Sequence, residues 1–218
     1  MAVLTFSQEF GSGGTEIAKR VAEETGYAFA DKKTIGELLA QYGLVGFQKV
    51  YESAPAFWEA LDTQMMEQRK ITIGMMNRTI LALARRDRVV IVGRGSYLVL
   101  AGFADVINVR VQAPFDFRVA RVMDELGLED RDKAKSAVRE SDAKRERFIE
   151  SAYGSHRDRV QDFNLAVDTR LIPRDTAVRF IVGAVRDLEK AGAEGGKRVS
   201  SIEVEPVLMH AVEELFAA

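Results

Sequence analysis

The stretch "VLTFSQEFGSGGTEIAKRVAEETG", residues 3–26, constrains the fold more than any other. Its apolar start, "AVLTFS" at 2–7, reads as a short buried strand. "TEIAKRVAEETG" at 15–26 then sets Ile17, Ala18, Val21 and Ala22 on one helical face, and Gly26 suits the helix stop. Between them Gly11, Gly13 and Gly14 permit positive φ and close backbone approach. A strand, a glycine turn and a helix in that order are the grammar of a phosphate-binding loop, whose pattern is G-x-x-x-x-G-K-[ST]. Laid on this chain, the pattern puts Gln8 at the first glycine, Gly13 at the second, Gly14 at the lysine and Thr15 at the hydroxyl. The turn's amides and the helix dipole can hold an anion, but the dipole gives only about 0.3–1 kcal/mol, so cations must come from elsewhere. A tight turn with no ligand is the competing reading.

The rest of the chain alternates strands and helices. "YAFAD" (27–31), "RVVIVGRG" (88–95), "DVINVRVQAP" (105–114) and "FNLAVDT" (163–169) read as further strands. The β-branched run in "RVVIVGRG" predicts burial on both faces, as in a parallel sheet. Helical patterns cover 32–43, 115–127, about 130–153 and 173–192. Residues 44–85 read as mostly helical, with Pro55 as a break or first-turn residue and a methionine-rich stretch as core. The expected fold is α/β, with three layers, a parallel five-stranded sheet and right-handed crossovers, and a ligand at the strands' C-terminal ends. The expected organisation is a main domain over 1–190, a linker over 191–201 and a helical tail over 202–218.

Bulk properties bound the function. With 31 Lys and Arg against 33 Asp and Glu, the net charge of -2 predicts no large nucleic-acid surface. There are no cysteines, which removes disulfides and thiolate metal sites. No run of roughly 18 apolar residues occurs, and "MAVLTFSQEF" does not read as a secretory signal, so a cytoplasmic location is expected. His156 and His210 are too few and too separated for a metal site.

Two groups of arginines can supply the missing charge. Arg94 lies just past a buried strand, either as a salt-bridge partner or as a phosphate fork. In "VRESDAKRERFIESAYGSHRDR", Arg139, Asp142 and Arg145 recur every three residues and share one helical side. That region is either a solvated helix or a mobile arm that closes over phosphates.

These blocks resemble the cytidylate kinase-like proteins of the P-loop nucleoside monophosphate kinase superfamily, over roughly residues 2–187. "FSQEFGSGGTEIAKR" is similar to that group's altered phosphate loop. "VVIVGRGSYLVLAGFADVINVRVQAPFDFRVARVMD" resembles the block containing G-R-D and an arginine-bearing helix. "ESDAKRER" resembles the lid, and "NLAVDT" the strand before the final helix. The resemblance implies a P-loop kinase-like fold with a lid at about 128–160 and an acceptor-side helical segment at about 44–85. It places Gly11, Ser12, Gly13, Gly14, Thr15 and Glu16 on ATP, with Thr15 as the Mg²⁺ hydroxyl. It gives Arg94 to the acceptor, Asp142 to ribose and Arg145 to phosphates, with Arg139 one residue off its place and Asp31 after the second strand. Arg69 and Arg78 both remain open as a base-contacting arginine. Val92 and Gly95 stand where cytidylate kinases carry base-reading aspartates, which argues against CMP as acceptor.

The function expected is ATP-dependent phosphoryl transfer to a nucleotide or other small acceptor, by direct in-line displacement. A non-catalytic nucleotide- or phosphate-binding module is the alternative that the absent lysine favours. A third reading makes the methionine-rich helices and the tail the contact surface of a homo-oligomer.

Overall fold

The computed structural model describes residues 2–41, 63–154, 160–192 and 195–217. Five parallel strands form one sheet in the order β2-β3-β1-β4-β5. They are β1 (Val3–Gln8), β2 (Ala28–Ala30), β3 (Val89–Val92), β4 (Val106–Gln112) and β5 (Leu165–Asp168). The opening strand therefore lies in the middle, between β3 and β4, with Leu4 opposite Val90 and Ile107. Every residue of β3 is buried, as its unbroken β-branched run requires.

The helices are α1 (Gly14–Thr25), α2 (Lys32–Gln41), α3 (Thr63–Arg86), α4 (Ser96–Val99), α5 (Phe115–Leu126), α6 (Arg131–Tyr153), α7 (Arg174–Ala191) and α8 (Pro206–Ala217). Much of the acceptor-side segment expected at 44–85, Pro55 included, lies outside the described residues, as does His156. Strand side chains alternate between two cores. Leu4, Phe6, Val90 and Val109 pack against Ile17 and Val21 of α1 and Val178 and Ile181 of α7. Val3, Val89 and Ile91 face Leu38 of α2, Met76, Ile80 and Leu83 of α3, and Leu208 and Val212 of α8. Each such side chain, once fully buried, is worth roughly 1.5–3 kcal/mol. A third, smaller cluster of Val119, Val122, Ala134 and Val138 joins α5 to α6.

Residues 199–217 belong to this packing. Val199 is buried, and its amide donates to Asp105 Oδ1 at 2.9 Å. Arg86 sits over the Phe216 ring at 4.8 Å, and Arg78 pairs with Glu205 at 3.2 Å. Among the described residues no helix is long and apolar enough to cross a membrane.

Candidate active site

Because β1 is central, its C-terminal end opens where the sheet edge, α1 and α6 meet. Glu9 leaves the strand by donating its amide to the Val111 carbonyl, and Ser12 N donates to Glu9 O at 3.1 Å, closing the turn. Gly11 and Gly13 take φ of 79° and 77°, so both need the left-handed freedom of glycine. Gly13 is the N-cap of α1 and no side chain caps that helix, which leaves first-turn amides without intrahelical partners. Thr169 donates to the Ser12 carbonyl at 2.8 Å, tying the turn to the end of β5.

Beside this turn lies a cavity of about 360 Å³. Thr15 borders it from the turn, with Ser7 and Gln8 from β1, Asp31 and Lys32 from the start of α2, and Val92 to Gly95 and Tyr97 past β3. Ser141, Lys144, Arg145 and Ile149 of α6 close the opposite side. Four cationic side chains, Lys32, Arg94, Lys144 and Arg145, thus face one carboxylate, Asp31, in an arrangement suited to anions. Asp31 also caps α2, accepting from Lys33 N at 2.8 Å.

Arg94 is 4% exposed and sits at φ 59°, between Gly93 at 77° and Gly95 at 69°. Three successive left-handed residues make this turn strained for anything but glycine at its ends. It is held from α6: the Tyr153 hydroxyl donates to the Arg94 carbonyl (3.1 Å) and lies 2.9 Å from Asn77 Oδ1. A Cβ at Gly95 would run into the Tyr153 ring, so position 95 has no room for a base-reading aspartate.

The three residues read on one side of α6 reach three different places. Arg145 Nη1 donates to the Gln8 carbonyl at 2.8 Å, beside the cavity. Asp142 accepts from Arg118 Nη1 at 2.7 Å. Arg139 is exposed and lies over the Phe115 ring at 5.2 Å, away from the cavity lining. Of the two arginines weighed for base contact, Arg69 donates to Ser151 at 2.8 Å and Arg78 pairs with Glu205; neither lines the cavity.

A buried ion network lies under the turn, and sequence reading missed it. Arg110 donates to Ser7 Oγ at 2.9 Å and to Glu9 Oε1 at 3.3 Å. Glu9 Oε2 is 3.3 Å from Arg118 Nε and accepts from Ala113 N at 3.0 Å. Arg118 further donates to the Ala113 carbonyl at 3.0 Å and the Phe10 carbonyl at 3.2 Å. On the turn's outer side, Arg121 and Arg174 would each lie 2.9 Å from a Cβ at Gly13. Burial, and then the charge of Arg174, lowers the Arg121 pKa, while Arg174 pairs with Glu16 and Glu125. The signal for Arg118 was present: it falls with Val119 and Val122 on the apolar stripe of α5, where a charge must be paired.

For Mg²⁺, no group of three or more carboxylates or imidazoles is assembled among the described residues. Thr15 Oγ1, which accepts from Gln8 Nε2 at 2.6 Å, is one oxygen at the turn that could reach such an ion, and the remaining ligands would be phosphate oxygens and water, as Mg²⁺ commonly prefers.

The model of the cytidylate kinase-like family matches residues 3–171. A cytidylate kinase of Ignicoccus hospitalis is 26% identical over 181 residues, covering 83% of this chain and 97% of its own. A solved structure of an uncharacterized protein from Eubacterium ventriosum aligns with a TM-score of 0.66 at 19% identity, over 85% of this chain and 99% of that one. TT1252 from Thermus thermophilus aligns at 0.52 and 15% identity, over 85% and 96%. The two structures share the three-layer α/β fold. With the family model spanning most of its length, the chain belongs to the cytidylate kinase-like family.

Proposed function

We propose that the protein is an ATP-dependent phosphotransferase that moves the γ-phosphoryl group to a small acceptor held in the cavity beside β1 and β3. The convergence of Arg94, Lys144 and Arg145 with Thr15 on that cavity carries the reading. ATP phosphates lie over Gly11–Thr15, where bare amides and glycine backbone allow close approach. Mg²⁺ bound to the phosphates supplies charge neutralisation. Arg94 orients the acceptor from the sheet edge, and Arg145 and Lys144 approach the transferring group from α6. In-line transfer needs alignment and charge stabilisation, so no covalent protein intermediate is required. The relative named cytidylate kinase supports the reaction type. The acceptor itself is assigned away from CMP, because Val92 is apolar and position 95 is filled by the Tyr153 ring.

ADP release, measured in steady state across nucleoside monophosphates including CMP and other small hydroxyl or phosphate acceptors, tests this. The expected result is acceptor-dependent ADP formation, strongest with an acceptor other than CMP and lost in Arg145→Ala with folding intact. One observation favours a binding-only module: Gly14 occupies the lysine's position. That reading requires nucleotide binding without turnover for every acceptor.

A further inference from the structure

A phosphate-binding loop that follows the usual pattern has glycine at its first position and lysine after its second glycine. This chain has Gln8 and Gly14 at those two places, and the structure makes the two departures a single exchange. A Cβ at position 14 would lie 2.5 Å from Gln8 Oε1, 2.7 Å from Gln8 Cβ and 3.1 Å from Val111 Cβ. The Gln8 Cβ is fixed at the end of the central strand β1, so a side chain at 14 is excluded while Gln8 stays in place, whereas the Val111 contact needs a shift of only a few tenths of an ångström. The Gln8 side chain lies against Gly14, crosses to the turn and ends on Thr15, its Nε2 donating to Oγ1 at 2.6 Å. Its Oε1 is buried with no hydrogen-bond partner among the described residues. The Gln8 carbonyl accepts from Arg145, so the backbone is anchored while the amide borders the cavity.

We propose that Gln8 stands in for the missing lysine: it fills the lysine's space, and its amide N–H transfers from Thr15 to a terminal phosphate oxygen of bound nucleoside triphosphate. This rests on the phosphotransferase reading and deepens it, putting a neutral donor where such loops carry a cation. The same movement uncovers the Thr15 lone pair for Mg²⁺. Positive charge then reaches the phosphates from Arg94, Lys144 and Arg145, which come from other elements.

The test measures calorimetric binding of a non-hydrolysable ATP analogue with Mg²⁺, alongside thermal unfolding without nucleotide. Gln8→Glu keeps the shape and adds the wrong charge, so binding weakens by at least about tenfold with an unchanged unfolding temperature. A role in packing alone would not separate the two readouts. Gln8→Lys holds the wild-type affinity or tightens it. Gly14→Lys alone unfolds early and binds poorly, and Gln8→Gly with Gly14→Lys regains both properties. Equal binding by wild type and Gln8→Glu overturns the donor role. A Gly14→Lys protein as stable as wild type overturns the shared space. Wild type that binds no analogue overturns the phosphotransferase reading and the donor role together, a result distinct from either of the others.

Discussion

Two glycine turns stand side by side at the C-terminal edge of the sheet, one after β1 and one after β3. The first offers backbone and contributes no charge: Gly11, Gly13 and Gly14 bring bare main chain to the start of α1, which no side chain caps, and its nearest cations belong to other elements. The second carries its charge on itself, with Arg94 held in a left-handed conformation between two left-handed glycines. The first is braced from beneath by the Glu9–Arg110–Arg118 network, the second from above by Tyr153. The contrast teaches a division of labour. Where the loop has lost its lysine, grip and charge are supplied by different strands, and α6 touches both, through Arg145 at the first turn and Tyr153 at the second.

The bracing of the first turn should give the largest effect. Arg118→Ala strips Glu9 of one of its two buried arginines and Asp142 of its Arg118 hydrogen bond, and is expected to cost about 3–5 kcal/mol in urea unfolding. A loss below about 1 kcal/mol would mean that this network does not hold the turn. For the second turn the expected loss is in activity. Arg94→Asn tolerates positive φ but removes the guanidinium, so kcat/KM should fall by on the order of 10²–10³. Stability should change by much less than that loss, as paired unfolding curves would show.

The turns also differ in how they take a methyl group. At Gly13 a Cβ meets the ends of the Arg121 and Arg174 side chains, which can swing away. At Gly95 it meets a ring whose hydroxyl is held between the Arg94 carbonyl and Asn77 and which packs at 6.1 Å, edge-on, to Phe148. Gly13→Ala should therefore cost about 1–2 kcal/mol, the price of left-handed backbone, whereas Gly95→Ala adds overpacking of roughly 1–3 kcal/mol. Equal losses would erase the distinction.

The smallest effect concerns pH. Arg20 donates a hydrogen bond to Asp175, and with its charge this holds the Asp175 carboxyl below its ordinary value. A lowered carboxyl contributes stability that is present above the unfolded value, about 4, and is lost as pH falls through the folded value. Both groups are solvent-exposed, so Arg20→Ala should only flatten the acid limb of the melting-temperature profile slightly.

The fold was legible because its signals are local. "VVIV" can only be a doubly covered strand, and the spacing of Ile17, Val21 and Ala22 can only dock a helix on one side. The glycine turn and Arg94 were legible for the same reason: each sits immediately after an apolar run, where a parallel sheet opens. What escaped is non-local. Glu9, Arg110 and Arg118 meet across about a hundred residues, and no pattern in "FDFRVARV" says which strand's carboxylate its arginine will find. Nor does the three-residue spacing of Arg139, Asp142 and Arg145 say how far each reaches, since α6 is charged nearly all round and only Ala134, Val138, Phe148 and Ile149 are buried. The Gln8–Gly14 exchange was visible as two separate departures from a pattern, and became one feature only when the space between them was known.

The central claim is that main-chain amides of the first turn hold nucleotide phosphates while charge arrives from elsewhere. Titrating ¹⁵N-labelled protein with Mg²⁺ and a non-hydrolysable ATP analogue, and following backbone amide resonances, tests it most directly. The account predicts the largest saturable shifts at Gly11 to Thr15, with Gln8 side-chain and Arg94 signals following the same isotherm. Saturable binding that leaves those amides unmoved and shifts resonances in another part of the molecule would contradict it.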